Sequence, residues 1–434
     1  MFFIKFITLV FIGNNFYFNS VEIVTLTYNL RFAGFEEEWN SYFLEDVIKS
    51  FVNGQTPSRN VDSYWNGEIP WVSSGELNYN HITSTIEQIT EEGKGKANLK
   101  LLPAGTFLMA ITGLEAAGTR GSCAILDIEA TTNQSCMALF PKEDKLTTKF
   151  LYYWYLKVGE HYGIKYTQGT KQQSYNKELL EKLPIVIPDN LKEQDKITDC
   201  LSLLHFKIEL LEKKYKSYVD FKKYLMQQIF AQKLRFDFDE EWNNDTIGNN
   251  SEVFGRIGFR GYTVDDLVNK GEGALTIGGK HISKDYQLDL SDPEYLSWEK
   301  YEESPEIKIY NNDVLLVKTA SVGKVCFIEN LNEPATLNPQ LIVFKNIKLN
   351  NKFFYYYLTS NLFQKDIHKI KSTTGIPTIT QKELLNLNII YPSLEEQEKI
   401  VNLLSIVDKK IFAIDKNIQD IKEFKKGLLQ QMFI

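Results

Sequence analysis

The 434-residue chain contains only four cysteines, Cys123, Cys136, Cys200 and Cys326, and no two of them form a Cys-x-x-Cys pair. That scatter excludes a zinc ribbon and a disulfide scaffold, and it suits a reducing, cytoplasmic setting. Five histidines (His81, His161, His205, His281, His368) show no metal-ligand spacing. An excess of positive charge is missing too. The formal net charge is −7, which argues against a simple coat for nucleic acid but leaves room for a local basic cleft on an acidic body. No apolar run reaches the roughly 20 residues that span a bilayer. The nearest is Met1–Gly13 (MFFIKFITLVFIG), which also lacks the small-residue cleavage site of a signal peptide. Residues 1–29 are therefore expected to be an N-terminal extension from an upstream start codon, and no membrane partner is expected.

Catalytic strings are scarce as well. A methyltransferase loop of Asn/Asp-Pro-Pro-aromatic type has its nearest match at Asn338-Pro339-Gln340-Leu341, without the second proline or the aromatic. Gly278-Gly279-Lys280 ends like a phosphate-binding loop, but Ala274 stands where the first glycine belongs and His281 replaces Ser/Thr, so it reads as a polar turn. Pro188-Asp189 with Glu212-Lys213-Lys214 is a poor nuclease cluster, since the latter three fall on a helix and read as solvated charges. No catalytic residue, metal site or cofactor of its own is expected, and the chain is expected not to be an enzyme.

What the chain does have is a second copy of itself. With 43% hydrophobic and 13% aromatic residues it can bury real cores. Leu30-Arg31-Phe32 and Leu234-Arg235-Phe236 open two units 204 positions apart, and each runs into an acidic-aromatic stretch, Phe35 to Asn40 and Phe238 to Asn243. Leu30 to Leu183 and Leu234 to Leu387 both span 153 positions, while the sequence between these anchors has diverged. A repeat this long is a duplicated domain rather than a solenoid module. Short apolar runs such as Ile69–Val72, Thr106–Ile111 and Val314–Val317 read as strands, and Thr148–Val158 and Asn351–Ser360 as helices.

Each unit ends in a heptad-patterned helix. Ile197, Leu201, Leu204, Ile208, Leu211, Tyr215, Tyr218, Lys222, Leu225 and Ile229 keep a 4-3 spacing. Ile400, Leu404, Val407, Ile411, Ile414, Ile418, Ile421, Lys425, Leu428 and Met432 repeat it 203 positions on. These are coiled-coil seams. Lys222 and Lys425 occupy equivalent seam positions. Parallel pairing would bring like charges together, whereas antiparallel pairing would separate them by roughly 27 Å at about 1.5 Å per residue. The expected fold is α+β: two strand-rich mixed domains joined by two long helices in an antiparallel intramolecular coiled coil, with a pseudo-two-fold internal repeat. A helix of this length, roughly 48 Å, could hold two reading domains about one duplex turn apart. The expected boundaries are 1–29 (extension), 30–190 (first domain), 191–232 (central helix), 233–391 (second domain) and 392–434 (C-terminal helix).

The ordered set of motifs resembles the specificity subunits of type I restriction–modification enzymes. The resemblance runs from about residue 30 to the C-terminus. It rests on Leu30-Arg31-Phe32 with Gly34-Phe35 and Trp39, on Gly67–Ser73, on Gly169–Pro188 and Gly375–Pro392, on Glu193-Gln194 and Glu396-Gln397, and on Lys222–Phe230 and Lys425–Phe433. It implies a non-catalytic DNA reader with two target-recognition domains, one for each half of a split sequence. It also implies helices that set the spacer and dock two modification (methyltransferase) subunits, which restriction (translocase/nuclease) subunits then join. S-adenosylmethionine, ATP and Mg would belong to those partners, and double-stranded DNA is the expected ligand of this chain.

Base edges and phosphates are read by Arg, Lys, Asn and Gln, so polar, glycine-containing loops supply the candidates. They are Arg120 in Gly118–Ser122; Lys171, Gln172 and Gln173 in Gln168–Ser174; Arg256 and Arg260 in Arg256–Gly261; and Lys280, Lys324 and Lys371 in similar turns. Lys213, Lys214, Lys409 and Lys410 read as the wet face of the coil. The competing interpretation is a coiled-coil scaffold with two ligand-binding domains and no nucleic-acid role, which the acidic net charge favours. A fused methyltransferase–nuclease is excluded by the missing motifs.

Overall fold

The computed structural model of the chain describes residues 5–12, 15–26, 29–115, 118–167, 173–256, 261–372 and 375–433, with side chains from residue 30 onward. It divides into two compact units. The first comprises Met1–Leu211 with Asn417–Ile434, and the second comprises Glu212–Lys416. The two long helices, Leu191–Phe230 and Leu394–Met432, each give one stretch to each unit.

Within the first unit a five-stranded sheet runs in the order Ile48–Asn53, Cys136–Pro141, Phe107–Ala110, Cys123–Leu126, Asn80–Ile82. The first three pairings are antiparallel and the last is parallel. Phe107–Ala110 and Cys123–Leu126 are buried along their whole length, which explains why they appear in sequence as unbroken apolar runs rather than alternating ones. A smaller sheet joins Thr131–Thr132, Trp65–Val72 and Glu87–Ile89. Backbone strands Lys5–Ile12 and Asn15–Leu26 form a hairpin, and the second of these pairs with Asn29–Phe32. The extension is thus joined to the first strand of the repeat.

The second unit repeats the central order. Glu252–Phe254, Leu341–Lys345, Val314–Val317 and Val325–Phe327 form an antiparallel sheet. Its smaller sheet has four strands, Leu267–Val268, Glu294–Ser297, Gly273–Ile277 and Ala335–Leu337.

The equal 153-residue spacing has a physical cause: the opening and closing segments of each domain pair with each other. Asn40–Phe43 lies antiparallel to Pro184–Ile187, and Asn243–Thr246 to Asn388–Tyr391. The next residues repeat the match, Leu44 N–H donating to Leu183 O and Ile247 N–H to Leu387 O at 3.0 and 2.9 Å.

The helices pair antiparallel, as the seam lysines require. In the first unit the start of one helix (Ile197, Leu201) shares a core with the end of the other (Leu428, Met432, Phe433). In the second unit Leu225, Ile229 and Phe230 share a core with Ile400, Leu404 and Val407. Ile208, Ile414 and Ile418 are also buried, and Leu204, Leu211, Ile411 and Ile421 are half-buried. The 4-3 pattern therefore faces inward. Lys222 Nζ meets Asp408 Oδ1 at 2.6 Å, while Lys425 Nζ meets His205 Nδ1 at 3.3 Å.

The remaining sequence features behave as ordinary structure. All four cysteines are free; Cys123, Cys136 and Cys326 are buried, and burial pushes the Cys326 thiol up to about 12. Among the described residues no helix is long and apolar enough to cross a membrane, and no group of acidic, His and Cys side chains could hold a metal ion.

Candidate nucleic-acid interface

Each domain is fixed to the helices by one set of contacts, built twice. Arg31 donates to Glu193 through Nε and Nη2, both at 2.8 Å; Arg235 donates to Glu396 at 3.2 and 2.8 Å. Both carboxylates are buried. The next residue is a buried glutamine. Gln194 Oε1 accepts from Thr147 N–H at 2.9 Å, and Gln397 Oε1 accepts from Asn350 N–H at 2.9 Å. Their amides donate to Pro188 O and Pro392 O, both at 2.9 Å. Thr147 and Asn350 are the N-caps of Thr148–Lys165 and Asn351–Thr359, so each glutamine satisfies the cap residue's own N–H. Tyr153 bonds Ser202 at 3.1 Å, and Tyr356 bonds Ser405 at 3.3 Å. Phe433 packs between Trp39 and Phe150, and Phe230 between Trp242 and Phe353. The Glu-Gln pairs were visible as repeated motifs; that they are joints became clear only from their burial.

On this frame sit the polar loops. In the first unit the loop joining Phe107–Ala110 to Cys123–Leu126 is bonded to the segment that follows the Thr148–Lys165 helix. Tyr175 N–H donates to Ile111 O at 2.8 Å and Leu114 N–H to Gln173 O at 3.1 Å. Gln173 N–H donates to Glu115 Oε2 at 3.1 Å. In the second unit the corresponding loop after Val314–Val317 is held by backbone and side chains together, with Thr378 Oγ1 donating to Lys318 O at 3.1 Å. Ala320 N–H donates to Pro377 O at 2.8 Å and Ile379 N–H to Lys318 O at 3.0 Å, while the Gln364 amide donates to Gly323 O at 2.8 Å. In both units, therefore, two loops far apart in sequence form one surface.

The candidate residues separate on this geometry. Arg120 is half-buried, with Nε on Leu114 O and Nη2 on Glu115 O, both at 2.7 Å. Gln173 lies in the joined loop pair. Lys171, Gln172 and Arg260 lie outside the described residues. Arg256 is not an exposed donor, which corrects its reading as a base-reading group. It is 3% exposed, with Nε on Leu337 O at 3.1 Å and Nη2 on Thr336 Oγ1 at 3.2 Å. Burial lowers its basicity from the ordinary arginine value.

Lys280 is exposed and paired with Asp292 at 2.6 Å and Glu294 at 3.0 Å, and the bond to Asp292 chiefly holds its basicity above the usual lysine value. Lys324 donates to Ile282 O at 2.7 Å. Lys371 is half-buried, and its backbone N–H closes the Asn361–Ile370 helix onto Ile367 O. Two cations outside the candidate set are held by their surroundings. Lys318 stands at the base of the second unit's loop pair, and burial lowers its basicity. Arg59 stacks on the Trp65 ring with its guanidinium carbon 3.8 Å from the centroid, and it is paired with Glu87. The closely spaced Trp65 and Trp71 could have flagged that stack.

Comparison with known proteins fits this architecture. The family model described as type I restriction modification DNA specificity domain matches residues 36–217 and 263–423. The chain belongs to this family. Membership makes DNA recognition its role and places it among non-catalytic recognition subunits. Two Methanocaldococcus jannaschii relatives are similar over nearly their full length. The type I restriction enzyme MjaIX specificity subunit is 25% identical over 91% of this chain and 93% of its own. The MjaVIII specificity subunit is 24% identical over 91% of each. The crystal structure of the S subunit of a type I restriction–modification system from M. genitalium shares the fold, with a TM-score of 0.60, 16% identity, and coverage of 93% of this chain and 98% of that one.

Proposed function

We propose that the chain is the sequence-reading subunit of a type I restriction–modification complex, and that each of its two recognition domains reads one half of a split DNA target. The carrying observation is the contrast within the repeat. The clamps that join domain to helix recur in their arginine–glutamate pair and in the glutamine that accepts the cap N–H, whereas the loops they carry are held by different residues. Such a device keeps two readers in one frame and lets each read a different sequence. The long helices set the spacer between the half-sites and dock two modification subunits, to which restriction subunits are added in the cytoplasm. S-adenosylmethionine, ATP and Mg act in those partners. Arg120, Gln173, Lys280, Lys324 and Lys371 are the described residues proposed to serve the DNA-reading loops, and Lys171, Gln172 and Arg260 are proposed with them on sequence alone. Family membership sets aside the scaffold interpretation.

The test is single-molecule sequencing of methylated bases in cells carrying the cognate modification subunit, with and without this gene. A split methylated motif of fixed spacer that vanishes with the gene supports the proposal. An active partner with no gene-dependent motif refutes it.

A further inference from the structure

We infer that Arg120 is a positioning residue for recognition of the first half-site, acting through the carbonyls it holds rather than by touching DNA; this rests on the function proposed above. Its guanidinium reaches back to Leu114 O and Glu115 O. The same two residues carry the link to the second loop, Leu114 through its N–H to Gln173 O and Glu115 through its carboxylate to Gln173 N–H. One side chain thus fixes the strip that joins the two loops. Two carbonyls from adjacent residues match the spread of a planar guanidinium, which an ammonium cannot span with the same rigidity.

The support beneath Arg120 is equally specific. Tyr79 Oη donates to Arg120 O at 2.7 Å, and Tyr152 Oη donates to Tyr79 O at 2.8 Å. Gly159 and Gly163 are four residues apart in the Thr148–Lys165 helix, where glycine is less favourable than alanine. Their purpose is visible in the packing. A Cβ on Gly159 would stand 2.7 Å from Gly121 Cα, and one on Gly163 would stand 3.2 Å from Arg120 Cβ and Cγ. The loop lies directly on the helix because the helix has no side chains there.

The experiment uses the full complex with its cognate modification subunits. It measures affinity for the target and for single-base variants of both half-sites, affinity for unrelated duplex, salt dependence and thermal unfolding. Arg120→Ala is expected to weaken target binding about tenfold, relax several adjacent positions of the first half-site, and leave the second half-site, unrelated duplex and the salt slope unchanged. Arg120→Lys should recover only part of the specificity. Gly159→Ala, which touches no candidate DNA contact and favours the helix, should relax the same positions. Glu115→Ala combined with Arg120→Ala should be no worse than the worse single variant, because both act through one strip.

Three results would overturn the inference. A uniform loss on all sequences, with the salt slope reduced by about one unit, would make Arg120 a phosphate contact. Relaxation of one base position alone, with additive doubles, would make it a base contact. A parallel fall of unfolding temperature and both half-sites would make its role purely structural. A wild-type complex that reads no split target would instead refute the proposed function, and this inference with it.

Discussion

The first unit and the second meet the same demand at their seam with different chemistry. Lys222 faces Asp408, and Tyr356 Oη also donates to that carboxylate at 2.7 Å. Lys425 occupies the equivalent position but faces His205, with Glu209 nearby as a compensating charge. Burial lowers the basicity of Lys425. Around it His205 stacks on His81, whose Nδ1 bonds Asp127 at 2.9 Å, and the Tyr153 ring lies 5.7 Å from the ammonium. The two halves therefore agree where the domains are anchored and differ one layer further along the helices. Duplication preserves a joint that a buried carboxylate and amide must satisfy completely, and it tolerates drift where a lysine can adapt.

The comparison can be broken most severely at the anchors. Glu193→Ala leaves Arg31 without its buried partner and removes the acceptor of Trp39 Nε1 at 3.3 Å. Loss of one member of such a pair costs about 3–5 kcal/mol. Hydrogen exchange resolved by unit should show the first unit opening first. Glu396→Ala is expected to act in the same direction on the second unit and less strongly, because Arg235 is more exposed than Arg31 and also donates to Glu240 O. Equal effects would mean that the anchors are more alike than their surroundings indicate.

The seam lysines give the next contrast. Lys222→Met removes the charged partner of Asp408 and leaves it only the Tyr356 hydroxyl, and should destabilise the second unit by about 1–3 kcal/mol. Lys425→Met removes a poorly compensated buried charge and should leave the first unit unchanged or more stable, measured by the same exchange experiment. The pH dependence follows in sign. Folding disfavours the proton on Lys425, so the unfolded chain binds more protons as pH approaches the ordinary lysine range. The first unit should therefore gain stability as pH rises toward that range, and Lys425→Met should abolish that gain.

The smallest effect concerns the paired tryptophans. Trp39 has a hydrogen-bond partner in Glu193, while Trp242 Nε1 is buried without one. Replacing Trp39 by Phe should cost about 1 kcal/mol more than replacing Trp242, read from denaturant midpoints.

Much of this organisation is legible in the amino-acid sequence. The 153-residue spacing marks the ends that pair, and the 4-3 stripes mark the seam, because both patterns are local consequences of strand and helix geometry. The helix read as Thr148–Val158 continues to Lys165 because Gly159 and Gly163 serve a packing purpose that no local signal announces. The loop arginines were the least legible. Gly-Thr-Arg-Gly and Arg-Ile-Gly-Phe-Arg-Gly look alike as polar, flexible loops. Yet Arg256 is buried on Leu337 O, and Arg120 bridges two carbonyls. Which carbonyls converge on a side chain is set by the sheet, not by the residues beside it.

The most direct test of the central claim, that two independent readers sit on one repeated frame, is exchange of residues 30–190 for the matching domain of another family member, followed by sequencing of methylated bases. The account predicts a new first half-site with the second half-site and spacer unchanged. A change in both halves would contradict it.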